Sequence, residues 1–249
     1  MLTRARRPRL RALQPLLRRA ALAALCVVAA GAAVAEVRIV TAEYADPTDR
    51  YTHGVLGDAI EYGSLVIGLS DGSKTRITLP HERVFEDIAP RIIALEKDGD
   101  PEVIVVESHV SYGARLSIYN QKGLITATPY IGTKYRWLAP VGAADLDGDG
   151  AIEIAYVDRP HLVKTLRIWR YADRTLVEVA SVSGVSNHRI GEDFITGGVR
   201  KCGDRVSLIT ASGDWRNIIE TRFDGHKATA QRIGPFEGAV SVDKALHCP

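Results

Sequence analysis

Short runs of β-branched and aromatic residues alternate with turn-forming residues along most of the chain. LVIGL (65–69), EVIVVE (102–107) and EIAYVD (153–158) are such runs, and SDGSK (70–74) and NQKG (120–123) are such turns. Apolar runs of this length between Gly, Asp and Asn clusters predict β-hairpins. No segment after residue 36 shows a sustained helical period. The pattern therefore predicts an all-β protein, built as a sandwich, a barrel or a propeller.

The pattern also repeats itself. ALEKDGDPEVIVVE (94–107) aligns without a gap on DLDGDGAIEIAYVD (145–158), a shift of 51 residues. Flanking matches join 88–90 to 138–140 and 115–119 to 165–169, and weaker copies cover 57–79 and 197–210. A repeat of about 50 residues with about four short strands is typical of one propeller blade. We therefore predict a β-propeller of about four antiparallel four-stranded blades.

Carboxylates alternate in the loop that precedes EIAYVD. Asp145, Asp147 and Asp149 occupy every second position. Calcium takes about six to eight oxygen ligands, and carboxylates at positions 1, 3 and 5 of a tight turn converge on one point. We predict a calcium site that uses these three side chains and, at position 7, the backbone carbonyl of Ala151. A solvated acidic turn without metal is the alternative.

An EF-hand is excluded as the scaffold of this loop. It requires an acidic residue at position 12, where this chain has Tyr156, and a helix on each side, where the pattern predicts strands. The loop in its repeat instead resembles the FG-GAP (VCBS) repeats of bacterial exported proteins, which also form the N-terminal propeller of integrin α subunits. The resemblance is close over 139–171, good over 88–120 and faint elsewhere. It implies a propeller fold and implies that Glu153, at position 9, completes the calcium site.

The other copies of the loop have lost ligands. The preceding copy has Ala94 and Glu96 at the first two ligand positions, with Lys97 beside them. We expect weak or no metal binding there, with the lysine ammonium replacing part of the cation's charge. The third copy has Lys201 and Cys202, so no metal is expected.

Residues 1–35 differ from the rest of the chain. They contain seven arginines, no acidic residue, an alanine-rich apolar run and the small-x-small sequence AVA at 33–35. This pattern predicts a secretory signal, cleaved before Glu36, and one mature propeller domain over 36–249. A retained N-terminal anchor is the alternative.

Removal of the signal changes the charge of the protein. Lys and Arg fall from 32 to 25 against 30 acidic residues, a net charge of −5. No basic run is left for nucleic acid or an anionic membrane. We expect a monomer in the periplasm or the medium, with no membrane contact. The two remaining cysteines, Cys202 and Cys248, predict a disulfide in an oxidising compartment, and two separate thiols are the alternative.

The sequence carries no catalytic motif. GxSxG, Walker and GxGxxG sequences are absent, and the seven histidines show no metal-ligand spacing. We expect Trp137, Trp169 and Trp215 to pack in the core, with a sugar platform as the alternative. We expect the polar loop 186–193 to be an interblade connection, with a binding spot as the alternative.

The function expected from these observations is non-catalytic binding of an unknown protein or glycan partner. Two alternatives stay open. One is a propeller hydrolase or lyase with its site in the central channel, which buried ionisable groups converging there would favour. The other is a structural or assembly factor of the cell envelope.

Overall fold

The computed structural model describes residues 36–248, so the predicted signal over 1–35 lies outside the described residues. The described chain forms seventeen strands and one helix. The strands are β1 (Ile39–Thr48), β2 (Glu61–Leu69), β3 (Lys74–Thr78), β4 (Arg83–Phe85), β5 (Arg91–Ala94), β6 (Pro101–His109), β7 (Gly113–Asn120), β8 (Gly123–Ala127), β9 (Leu138–Ala144), β10 (Ile152–Asp158), β11 (Thr165–Ala172), β12 (Thr175–Ser183), β13 (Val185–Ser186), β14 (Gly198–Cys202), β15 (Arg205–Ser212), β16 (Asn217–Phe223) and β17 (Ala228–Pro235), and the helix is α1 (Ala239–Leu246). Within 36–248, no helix combines the length and the apolar character that crossing a membrane requires.

Strands β9 to β12 form one four-stranded antiparallel sheet whose spatial order follows the sequence. The central strand β10 is buried from Glu153 to Asp158. Its equivalent in the preceding repeat, β6, is buried from Glu102 to Ser108. A strand covered on both faces carries a continuous apolar run instead of an alternating one, which explains EIAYVD and EVIVVE. This sheet has the four-stranded antiparallel form that the repeat predicts.

The last sheet contains β14 to β17, with β13 also pairing to β15. The helix α1 packs on this sheet, where Val242 lies among Ile209, Ile218 and Leu246. The helix therefore covers apolar side chains of the last repeat with the C-terminal segment of the chain.

The first sheet differs from the prediction of separate blades. Strand β4 pairs with β2 through Phe85 and Tyr62, and with β6 through Phe85 and Glu107. The first two repeats therefore form one curled sheet of eight strands. The reason is local: β3 pairs only with Ser64 to Gly68, so part of the edge of β2 is left for β4. The antiparallel, propeller-like character of the fold is confirmed.

The first strands of three repeats surround a cavity of about 280 Å³. Its walls include Ile93 of β5, Val141 of β9 and Val199 of β14. Most of the lining is aliphatic, so the interior of the array is apolar where these strands meet.

Loops join the first repeat to the last. The N–H of Gly191 donates to the carbonyl of Val55 over 3.1 Å, and Val55 packs in one core cluster with Trp137 and Ile195. The side chain of Asn187 donates to the backbone carbonyls of Ala139 and Pro140 near the start of β9, over 3.1 and 3.2 Å. The loop 186–193 is thus the interblade connection that was expected.

Two tryptophans lie in the core, as predicted. Trp137 is 2% exposed and Trp169 is 9% exposed. Trp215 is half-buried, and the guanidinium of Arg189 lies 4.3 Å from its ring centre.

Cys202 and Cys248 form the predicted disulfide, with their Cα atoms 5.6 Å apart and a separation of 46 positions in sequence. The bridge connects the end of β14 to the segment that follows α1. It therefore holds the C-terminal segment against the last sheet.

Replacing both cysteines by serine should lower the free energy of unfolding by about 3–4 kcal/mol, because a loop of this length loses its constraint in the unfolded chain. Denaturant unfolding of wild type and the Cys202→Ser/Cys248→Ser variant measures this. Reduced wild type should match the variant. Equal midpoints, or two freely alkylated thiols in the native protein, would contradict the bridge.

Candidate metal centre

The acidic loop connects β9 to β10, and three of its carboxylates converge. One oxygen from each of Asp145, Asp147 and Asp149 lies within 4.8 Å of the other two. Gly148 and Gly150 have φ values of 83° and 88°, a region that glycine adopts without a steric penalty. The two glycines therefore permit the reversal that brings the aspartates together.

The loop's own backbone orients these carboxylates. Asp145 accepts hydrogen bonds from the N–H groups of Gly148 (2.7 Å) and Gly150 (3.0 Å). Asp149 accepts one from Ala151 over 2.8 Å. The backbone N–H groups of the loop therefore orient the carboxylates of Asp145 and Asp149.

Glu153 occupies a different place from the three aspartates. Its side chain is fully buried at the start of β10. One of its oxygens accepts the N–H of Leu146 over 2.9 Å. Burial raises the pKa of Glu153, while the Leu146 N–H and the guanidinium of Arg170 act in the opposite direction. The structure thus places the predicted fifth ligand beneath the loop, outside the group of three.

The same hydrogen bond recurs in the preceding repeat. There Glu102 accepts the N–H of Leu95 over 3.0 Å, and the two residues are again seven positions apart. That loop has lost its first two aspartates, yet it keeps the glutamate and this contact. The glutamate therefore fixes the loop on the strand in both repeats, independently of the aspartates.

Arg170 supplies the positive charge at the acidic loop. It lies on β11 directly opposite Glu153. Its guanidinium contacts Glu153 at 2.7 Å, Asp149 at 3.0 Å and also Asp147. Arg170 was not predicted from the sequence, because a cross-strand partner 17 residues away from Glu153 has no fixed spacing in a motif. The available signal was the pairing of Arg170 with Glu153 across the predicted hairpin.

Neighbouring repeats enclose the loop from both sides. A Cβ atom added to Gly150 would lie 3.6 Å from Nζ of Lys97. On the other side, a Cβ atom added to Gly225 would lie 3.0 Å from a carboxylate oxygen of Asp147. Lys97 therefore approaches the acidic loop of the next repeat as well as its own, and the loop lies at a junction of three repeats.

A second group of ionisable side chains converges at the opposite end of β9 and β10. Nε2 of His188 lies 2.9 Å from the carbonyl of Glu192, so this nitrogen carries the proton. Nδ1 of His188 then accepts from Nε2 of His161 over 3.0 Å. Nearby, Nδ1 of His53 lies 2.5 Å from a carboxyl oxygen of Glu86. Histidines from three distant loops therefore meet, which no local spacing could have predicted.

Burial dominates the chemistry of this histidine group. It lowers the pKa of His161 to about 4 and also lowers the pKa of His188, so both rings are neutral at pH 7. The adjoining cavity, which His53 and His161 help to line, measures about 30 Å³. That volume holds about one water molecule.

Residues 95–156 match the FG-GAP-like repeat family. The matched segment contains Glu102, the acidic loop and strand β10 as far as Tyr156. No curated protein matches the chain. The predicted resemblance is confirmed over the two strongest repeats, and the chain contains an FG-GAP-like repeat.

Arg170→Met should lower the free energy of unfolding by roughly 2–4 kcal/mol in the presence of a chelator, because it leaves the buried charge of Glu153 without its ion pair. Arg76→Met is the matched control, since Arg76 and its partner Asp46 are both about half exposed. The control should cost less than about 1 kcal/mol. Denaturant unfolding measures both, and equal losses would contradict the role assigned to Arg170.

Proposed function

We propose that this FG-GAP repeat-containing protein is an exported, non-catalytic interaction module, a four-bladed propeller stabilised by calcium that binds a protein or a glycan. The observation that carries the proposal is the acidic loop, which lies between neighbouring repeats. Its carboxylates are engaged by backbone N–H groups and by Arg170. Carboxylates held in this way stabilise the loop; they are not arranged to exchange protons with a substrate.

The donor set at the acidic loop fits calcium. The three aspartates present hard oxygen ligands within 4.8 Å of one another, the ligand type that calcium prefers. Asp145, Asp147 and Asp149 would hold the ion, with the carbonyl of Ala151 as a further oxygen. Calcium would supply positive charge to carboxylates that otherwise rely on Arg170, whereas Glu153 keeps its structural hydrogen bond.

Export is supported by two features of the chain. A disulfide persists in oxidising compartments and is rare in the cytosol, and Cys202 and Cys248 form one. Residues 1–35 carry the pattern of a secretory signal. The periplasm or the medium is the location we propose.

The hydrolase or lyase alternative has one observation in its favour. Glu86 and His188 are fully buried, and they lie with His53 and His161 in one group. Such groups are typical of active sites. The adjoining cavity of about 30 Å³ has room for a water molecule but not for a substrate. We therefore assign the histidine group to closure between the first and last repeats.

Calcium should raise the melting temperature of the protein, by the equivalent of about 2.7 kcal/mol at a hundredfold excess over the dissociation constant. Asp149→Ala should remove most of this rise, because it removes one oxygen ligand. Asp98→Ala is the matched control, at the aligned position of the preceding loop, and should leave the rise unchanged. Thermal unfolding in calcium and in chelator checks this, and identical curves for wild type would exclude a significant site.

The folded protein, immobilised with calcium, should retain a specific protein or glycan from an envelope extract of its host and release it chemically unaltered. Mass spectrometry before and after elution measures both identity and integrity. Heat-unfolded protein is the control for non-specific adsorption. Retention no greater than that of the control would contradict a binding module, and cleavage of the retained species would favour the enzyme alternative.

A further inference from the structure

A cavity of about 180 Å³ lies between the segment after β8 and the sheet β9 to β12. We call it the Tyr130 pocket. Tyr130, Tyr156 and Trp169 supply its aromatic walls, and Asp158, Arg167 and Glu178 supply most of its charged groups. Drug-sized ligands occupy roughly 300–1,000 Å³, so this pocket has room for a single ring and not for a folded peptide.

The charges of the Tyr130 pocket neutralise one another. Asp158 receives Nε of Arg159 at 2.8 Å and Nε of Arg167 at 2.9 Å. Arg167 also contacts Glu178 at 2.7 Å. Two acids thus face two bases, and each is paired. An ionic ligand would have to break one of these pairs, so the pocket favours a neutral ligand.

The same groups keep unused hydrogen-bonding capacity of both kinds. A carboxylate offers about four acceptor sites, and Glu178 uses one of them within the described residues. Arg167 bonds through Nε and Nη1, which leaves donors on Nη2. Free donors and acceptors side by side suit hydroxyl groups, which both donate and accept.

Two further aromatic rings lie beside Tyr130, outside the pocket lining. Tyr112, which is 53% exposed, lies 6.2 Å from the ring of Tyr130, and His109 lies 4.6 Å from Tyr112. The guanidinium of Arg115 sits 4.7 Å from the centre of the Tyr130 ring and fixes its orientation. Aromatic faces carry partial negative charge, so they attract the weakly positive C–H groups on the face of a sugar ring.

We infer that the Tyr130 pocket binds a neutral sugar unit of a glycan, with the ring against Tyr130 and its hydroxyls on Glu178 and Arg167. The inference rests on the proposed binding function and selects the glycan from its two possible partners. It assigns recognition to a site separate from the acidic loop.

The test is a titration of the protein with the methyl glycosides of glucose, galactose, mannose and N-acetylglucosamine, followed by intrinsic tryptophan fluorescence, to which Trp169 in the pocket wall contributes, and by calorimetry. Glucuronic acid is the charged comparison. At least one neutral glycoside should bind saturably, and glucuronic acid should bind about tenfold more weakly, a difference of about 1.4 kcal/mol. Tyr130→Ala and Glu178→Gln should each raise the dissociation constant about tenfold or more.

Phe194→Ala is the matched control, because Phe194 is 42% exposed and does not line the pocket. Its dissociation constant should equal that of wild type. Glu178→Gln preserves shape, so it tests the pocket even if Tyr130→Ala unfolds. Absence of saturable binding by all four neutral glycosides, or unchanged binding in Glu178→Gln, would overturn the inference. Capture of a partner from the extract without glycoside binding would leave the binding module standing and refute only the sugar site.

Discussion

The buried carboxylate of Glu153 determines the structure of the acidic loop above it. A buried carboxylate needs hydrogen bonds and a countercharge, and Glu153 obtains them from the Leu146 N–H and from Arg170. The first contact fixes the loop on β10, and the second brings a guanidinium beside two aspartates. The position of the loop therefore depends on the register between β10 and β11, where Glu153 faces Arg170.

The parts of the fold that sequence could predict are those repeated without gaps. The alignment of 94–107 on 145–158 places β6 and β10 at equivalent positions, each with its preceding loop. The eight-stranded first sheet was not predictable in this way. It depends on β4, which has only three residues and no periodicity, and whose pairing partners are distant in sequence.

The candidate metal centre and the histidine group show the same difference between local and long-range contacts. Local spacing was enough to group Asp145, Asp147 and Asp149, because a tight turn brings alternate residues together. The resemblance implies that Glu153 is a metal ligand, which stays a prediction, and its contact with the Leu146 N–H, repeated between Glu102 and Leu95, shows a structural role that the spacing did not indicate. The histidine group could not be predicted from the sequence, because its members lie on separate loops that only long-range tertiary contacts bring together.

The double pairing of β4 has a consequence for cooperativity. Val84 and Phe85 are fully buried, and Phe85 is hydrogen-bonded into β2 and β6 at once. Detaching the first repeat would expose this segment and open an edge of the second, so we expect residues 39–127 to open as one unit. The sheet β9 to β12 shares no strand pairing with the other two sheets and contacts them through packed side chains. Cooperative units of this kind differ in free energy of opening within one native state, and the shared sheet predicts that the first two repeats open together and not one at a time.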